Sequence, residues 1–123
     1  MIEFEIAGEP KPKGRPRMTK TGHTYTPKET RQAEVGVQLA WELSGGQRLN
    51  GPLVLECKFY VGTKRKKDLD NMTKLVQDAL NKRAYEDDDQ IVQLVAWKIY
   101  TTPEKARTVV RIRQMMETVY ERW

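Results

Sequence analysis

Residues 64–90 read Lys64-Arg65-Lys66-Lys67-Asp68-Leu69-Asp70-Asn71-Met72-Thr73-Lys74-Leu75-Val76-Gln77-Asp78-Ala79-Leu80-Asn81-Lys82-Arg83-Ala84-Tyr85-Glu86-Asp87-Asp88-Asp89-Gln90. Four bases give way at once to Asp68 and Asp70. Leu69, Met72, Val76, Ala79 and Leu80 then recur at helical spacing, which predicts a helix over 70–82 with that stripe buried. Asp70, Lys74 and Asp78 stand at i, i+4 and i+8 on a neighbouring face. Asn81-Lys82-Arg83 breaks the pattern, and an acidic run leads into the next apolar segment. Two carboxylates about 5 Å apart repel by roughly 3 kcal/mol at an effective dielectric of ~20. A divalent cation is the usual remedy for such acids, and a polyanion the usual partner of such bases.

Strands flank this helix. Residues 52–61 alternate, with Leu53, Leu55, Cys57, Phe59 and Val61 on one face and Val54, Glu56, Lys58 and Tyr60 on the other. Cys57 is therefore expected as a small buried hydrophobe. Residues 90–100 predict a strand apolar on both faces, Ile91, Gln93, Val95, Trp97 and Ile99 opposite Val92, Leu94 and Ala96. Residues 106–113 predict another, with Val110 and Ile112 inward, so 90–113 reads as a hairpin turning at Thr101-Thr102-Pro103-Glu104. Upstream, Ile2, Phe4 and Ile6 alternate with Glu3 and Glu5 as a strand over 2–6. Thr26-Pro27-Lys28-Glu29 reads as a capping box with Pro27 at the first helical position. Ala33, Val37, Ala40 and Trp41 continue that helix, with Leu39 and Leu43 widening the stripe, and Ser44-Gly45-Gly46 stops it. Gly36 in its middle suggests close packing on the sheet.

The expected fold is α+β, a mixed four-stranded sheet with two main helices on one face in the order β-α-β-α-β-β. The 123 residues fit one domain, 1–123, with a basic loop at 9–25 and an amphipathic C-terminal tail at 114–123. Only 38% of residues are hydrophobic, so the core is thin. A strand apolar on both faces needs cover, which points to a dimer.

Charge narrows the function. The net charge is +5, yet residues 11–20 carry five bases and no acid and 64–67 carry four bases, so those nine leave the rest of the chain at −4. Lys11, Lys13, Arg15 and Arg17 sit on a Pro-rich extended backbone able to track phosphates, and Lys64, Arg65, Lys66 and Lys67 stand immediately beside the acids, where they could hold a nucleic-acid backbone. The single cysteine excludes an internal disulfide and suits a reducing compartment. The N-terminus lacks the pattern of a signal peptide, and no apolar run approaches a membrane span, so a cytoplasmic location is expected.

In an extended lead-in Asp68 and Asp70 would point the same way and reach one ion; equally, either could cap the helix. The helix advances ~18 Å. A nearly extended return over 83–88 would bring Asp88 to the same end, and otherwise a partner subunit's cluster could complete the site. All-oxygen donors suit Mg²⁺ or Mn²⁺. Zinc is disfavoured, with one histidine and one buried-looking cysteine. A calcium loop starting at Asp68 fails, with Thr73 where glycine belongs and Ala79 where glutamate belongs. Lys74 reads either as an ordinary i,i+4 pair or as a cation aimed at charge developing on a phosphate. Together these parts fit metal-assisted phosphodiester hydrolysis; without the acids, the bases alone would fit a non-catalytic DNA-binding protein.

Asp68-Leu69-Asp70-Asn71-Met72, Lys74, Asp78-Ala79-Leu80 and Asp87-Asp88-x-Gln90-Ile91 resemble the signature of the RusA family of Holliday junction resolvases. Gly8-Glu9-Pro10-Lys11-Pro12-Lys13-Gly14-Arg15-Pro16-Arg17 and Thr24-Tyr25-Thr26-Pro27 resemble its phage and prophage branch. The resemblance spans residues 2 to about 113. It implies a homodimeric, magnesium-dependent endodeoxyribonuclease of recombination and repair that resolves four-way DNA junctions by paired symmetric nicks. By position it implies Asp68, Asp70 and Asp88 as metal-binding catalytic carboxylates and Lys74 as the catalytic lysine.

Overall fold

A computed structural model describes residues 1–115. Its elements are β1 (Ile2–Ala7), β2 (Arg17–Met18), β3 (Thr24–Tyr25), α1 (Lys28–Leu43), β4 (Leu53–Val61), α2 (Leu69–Leu80), β5 (Ile91–Tyr100) and β6 (Arg107–Gln114). The four long strands make one mixed sheet in the order β1-β6-β4-β5. β4 runs parallel to β5 and antiparallel to β6, and β1 runs antiparallel to β6.

β4 and β6 are the two interior strands. Leu53, Leu55, Cys57, Phe59 and Val61 are all buried, and Met72, Leu75, Val76, Ala79 and Leu80 of α2 cover them together with Val37 and Trp41 of α1. Both helices therefore lie on one face, as expected. Trp41 and Cys57 are core residues, and burial pushes the Cys57 thiol up to about 12. Met72, Val76, Ala79 and Leu80 are the expected stripe, with Leu69 partly buried at its edge.

Several local expectations change. β5 and β6 do not pair as a hairpin, since β4 lies between them. The link over 101–106 crosses the end of β4, where the Thr101 amide donates to the Val61 carbonyl at 2.9 Å. A Cβ on Gly62 would lie 2.7 Å from Pro103 Cα, so glycine is what lets that crossing fit. The 9–25 loop contains the small β2–β3 hairpin. No capping box opens α1: Pro27 is the N-cap residue and no side chain caps the helix. The Arg31 amide bonds the Pro27 carbonyl, which places Thr26 one residue too early to cap. Leu39 and Leu43 face solvent rather than widening the buried stripe. Gly36 is not explained by close packing, since a Cβ there would meet nothing within 4 Å. Finally, α2 ends at Leu80, two residues early, because Asn81 turns extended and Lys82 takes φ 66°.

β5 is an edge strand and is poorly covered: Val92, Leu94, Trp97 and Tyr100 are all exposed. β6 reaches Gln114, and the Met115 amide bonds the Pro52 carbonyl. The rest of the expected amphipathic tail, 116–123, lies outside the described residues. No helix among those described is long and apolar enough to cross a membrane.

Candidate active site on the second helix

The parallel β4-α2-β5 crossover decides where the acidic residues go. Parallel strands need a connection that returns to the starting edge of the sheet. α2 therefore starts beyond the end of β4 and finishes near the start of β5, where Leu53 pairs with Ile91. Asp68 and Asp70 stand at the first end, and Asp88 at the other.

Asp68 is the N-cap residue of α2, extended at φ −80°, ψ 131°, and its side chain makes no capping bond. Its exposed carboxylate is thus not used for the commonest structural purpose of an Asp at that position. The helix begins at Leu69, so Asp70 is already in the first turn rather than in an extended lead-in. Its Oδ1 accepts the Asn71 amide at 3.0 Å. Lys74 follows one turn later and is exposed, with Nζ 3.9 Å from Asp78 Oδ1.

Asp88 opens a 3-10 turn over Asp88–Gln90 rather than the strand itself. The return from α2 is coiled, not extended: Arg83 and Ala84 amides both bond the Leu80 carbonyl, and Asn81 bridges to Tyr85. Asp87 is used as the cap of the turn, its Oδ1 accepting the Asp89 amide at 3.1 Å while Gln90 Oε1 accepts the Asp87 amide at 3.1 Å. That amide bond first, and the neighbouring carboxyl second, hold Asp87 below the ordinary carboxylate range. Asp88 moves the other way. The adjoining Asp87 carboxyl raises it first, with desolvation and the charge of Asp78 adding and Lys74 opposing. Among the described residues, no three of His, Cys, Asp and Glu gather around one point.

The oxygen-only donor set still fits magnesium, which takes one or two carboxylates and keeps several waters. Asp68 and Asp70 supply two at one helix end.

The basic residues divide into two kinds. Lys11, Arg15, Arg17, Lys64, Arg65 and Lys66 are exposed. Lys13 and Lys67 are not free: Lys13 ion-pairs with Asp78, and Lys67 Nζ lies 2.8 Å from Glu9 Oε1. Glu9 also accepts the Gly62 amide at 3.0 Å, and the Lys13 amide bonds the Asn71 carbonyl at 2.9 Å. The two basic segments are thereby fastened to each other and to the start of α2. Neither Glu9 nor Asp78 is marked for this task by local sequence pattern. The available signal was a lone acid in a basic loop, and an acid following Lys74 by one turn. Gln90 is a third such residue; its Nε2 donates to the Leu49 and Gly51 carbonyls at 3.2 and 3.0 Å, fixing the acidic turn to the loop before β4.

Comparison with known proteins gives two matches. A family model described as Endodeoxyribonuclease RusA matches residues 7–113. Uncharacterized protein YqaN of Bacillus subtilis (strain 168) is 31% identical over 139 residues, covering 93% of this chain and 96% of that protein.

Proposed function

The chain belongs to the RusA family of endodeoxyribonucleases, and from that membership we propose that it is a magnesium-dependent nuclease that resolves four-way DNA junctions by paired symmetric nicks as a homodimer. The observation that carries this reading is at the start of α2. There an Asp68 carboxylate unused in capping stands next to Asp70 and one turn from Lys74, with the tied basic segments on either side.

Asp68 and Asp70, with Asp88, would hold the divalent cation, which when bound polarises the scissile phosphate and supplies hydroxide at neutral pH. Lys74 presents an exposed ammonium to the negative charge that develops on the phosphoryl oxygens. Lys11, Arg15, Arg17, Lys64, Arg65 and Lys66 grip the DNA backbone, while Lys13 and Lys67 hold their segments in place. Asp88 is favoured over Asp87 because Asp87 is used in capping its own turn.

Asp68 and Asp70 open α2, whereas Asp88 stands in the turn before β5, an arrangement that would suit a site completed by Asp88 of the partner subunit. A second copy has an evident place to dock. Among the described residues, β5 leaves a ten-residue edge unpaired and apolar side chains open on both faces, a surface that pairs readily with another chain. A two-fold dimer also suits a junction with its own approximate two-fold axis.

The test is a synthetic four-way junction incubated with the protein, with and without Mg²⁺. Cleavage only with the metal, and symmetric in opposing strands, is expected. An uncut junction, bound with the same steep salt dependence as plain duplex, would instead indicate a non-catalytic DNA-binding protein.

A further inference from the structure

Lys13 is the point where the basic loop meets both helices. Its amide donates to the Asn71 carbonyl of α2 at 2.9 Å. Its ammonium pairs with Asp78 Oδ2, and the next amide, that of Gly14, donates to Thr30 Oγ1 of α1 at 3.0 Å. A Cβ on Gly14 would lie 2.7 Å from that hydroxyl, so the loop meets α1 there as bare backbone. Upstream, Glu9 fastens the loop to Gly62 and Lys67. Between these ties Pro10 and Pro12 fix φ. Residues 9–14 are therefore a stiff strap, bolted at both ends.

Asp78 serves the strap and Lys74 together. One oxygen pairs with Lys13, and the other lies 3.9 Å from Lys74 Nζ. Lys13 and Asp78 side chains are only 26% and 22% exposed, whereas that of Lys74 is 62% exposed. The Lys13 pair is thus the sheltered one, and Lys74 remains open to a substrate. Partial burial raises the Glu34 carboxyl of α1, with the charge of Lys13 opposing.

We propose that Asp78 is a positioning residue: through Lys13 it locks the basic strap onto α2, and through its second oxygen it restrains the ammonium of Lys74. This rests on the reading of α2 as the helix that carries the catalytic groups. Its consequence is a fixed distance between the phosphate-gripping arm, Arg15 and Arg17, and Lys74. Small displacements between gripping and reacting groups cost up to ~10²-fold in rate, whereas an ordinary exposed ion pair contributes little to stability.

The experiment compares wild type, Asp78→Asn, Asp78→Glu and Lys13→Gln in the full chain. Amide hydrogen exchange at Lys13 and Gly14 reports the strap, and single-turnover junction cleavage at saturating protein reports the rate. Asp78→Asn should speed exchange at both amides by ~10-fold or more and slow cleavage by at least ~10-fold. Lys13→Gln should release the strap equally but slow cleavage less, since Lys74 keeps its partner. Asp78→Glu should restore both readouts to within a few-fold of wild type. Amides that stay protected in Asp78→Asn and in Lys13→Gln overturn the proposal, as does a released strap with an unchanged cleavage rate. Should Asp78→Asn not fold, Lys13→Gln decides the tie by itself. A wild type that cuts no junction while the strap opens in the variants would sink the nuclease reading and leave the tie standing.

Discussion

Glu9 and Lys67 meet at 2.8 Å with side chains only 18% and 10% exposed, the most sheltered ion pair among the described residues. Fifty-eight residues of chain separate them. The pair joins the start of the Pro-rich loop to the basic run before α2, and the Gly62 amide adds a second bond to the same carboxylate. Burial alone would raise the Glu9 carboxyl, but the bonds from Lys67 and Gly62 outweigh it and hold it below its ordinary value of 4.5. A carboxyl depressed in the folded state adds stability above that ordinary value and loses it as pH falls through the folded one. Glu9→Gln should therefore lower stability at pH 7 by about 1–3 kcal/mol in urea titrations, and the gap from wild type should close below pH 4.5. Parallel curves down to pH 3 would contradict the assignment.

Asp70→Asn should slow junction cleavage by on the order of 100-fold or more, because a carboxylate that would hold the divalent cation is lost. Affinity for the same junction, measured without metal by fluorescence anisotropy, should change little, since the phosphate-gripping bases are untouched. A variant that cuts like wild type removes Asp70 from the site.

Mixing variants separates a site built within one chain from a shared one. In a dimer of one Asp70→Asn chain and one Asp88→Asn chain, a shared arrangement leaves one site intact and one doubly altered. Co-refolded protein should then nick one strand of the junction, although each variant alone is inactive. If each chain builds its own site, the mixture stays inactive. Trp97→Glu on β5, measured by light scattering, should yield monomers and lose the complementation.

The bases should sort by their intramolecular partners. Replacing Lys64, Arg65 or Lys66 singly by Ala should flatten the log Kd against log salt slope by about 1 each, as a lost phosphate contact does. Lys67→Ala should instead reduce stability, because its ammonium is engaged by Glu9. A slope change at Lys67 equal to that at Lys66 would show that the Glu9 pair opens on binding DNA.

Much of the fold was legible because it is locally encoded. Alternation in 52–61 identifies the central strand, and the spacing of Met72, Val76, Ala79 and Leu80 identifies the buried side of α2. The Asp-x-Asp-Asn…Lys…Asp-Asp run pointed to the same family that the comparison over residues 7–113 returns. The errors lie where neighbours in sequence compete with neighbours in space. β5 and β6 looked like a hairpin because they are consecutive, yet β4, with every inward residue buried, takes the place between them. Thr26 looked like a cap because the motif is local, yet the helix starts one residue further on.

By itself the sequence determined the four long strands and two helices, the α+β class, the acidic and basic residues at the start of α2 and the kinship with a nuclease family, since each depends on spacing along a few turns or strands. Tertiary structure decided strand order, the placement of Asp88 in a turn ahead of β5, and the sorting of bases into those open to solvent and those fastened down. Those outcomes depend on pairs such as Lys13 with Asp78, 65 residues apart. No local pattern encodes which carboxylate an ammonium meets once the chain is packed, because that choice is made by the burial of β4 and the path the loops must take around it.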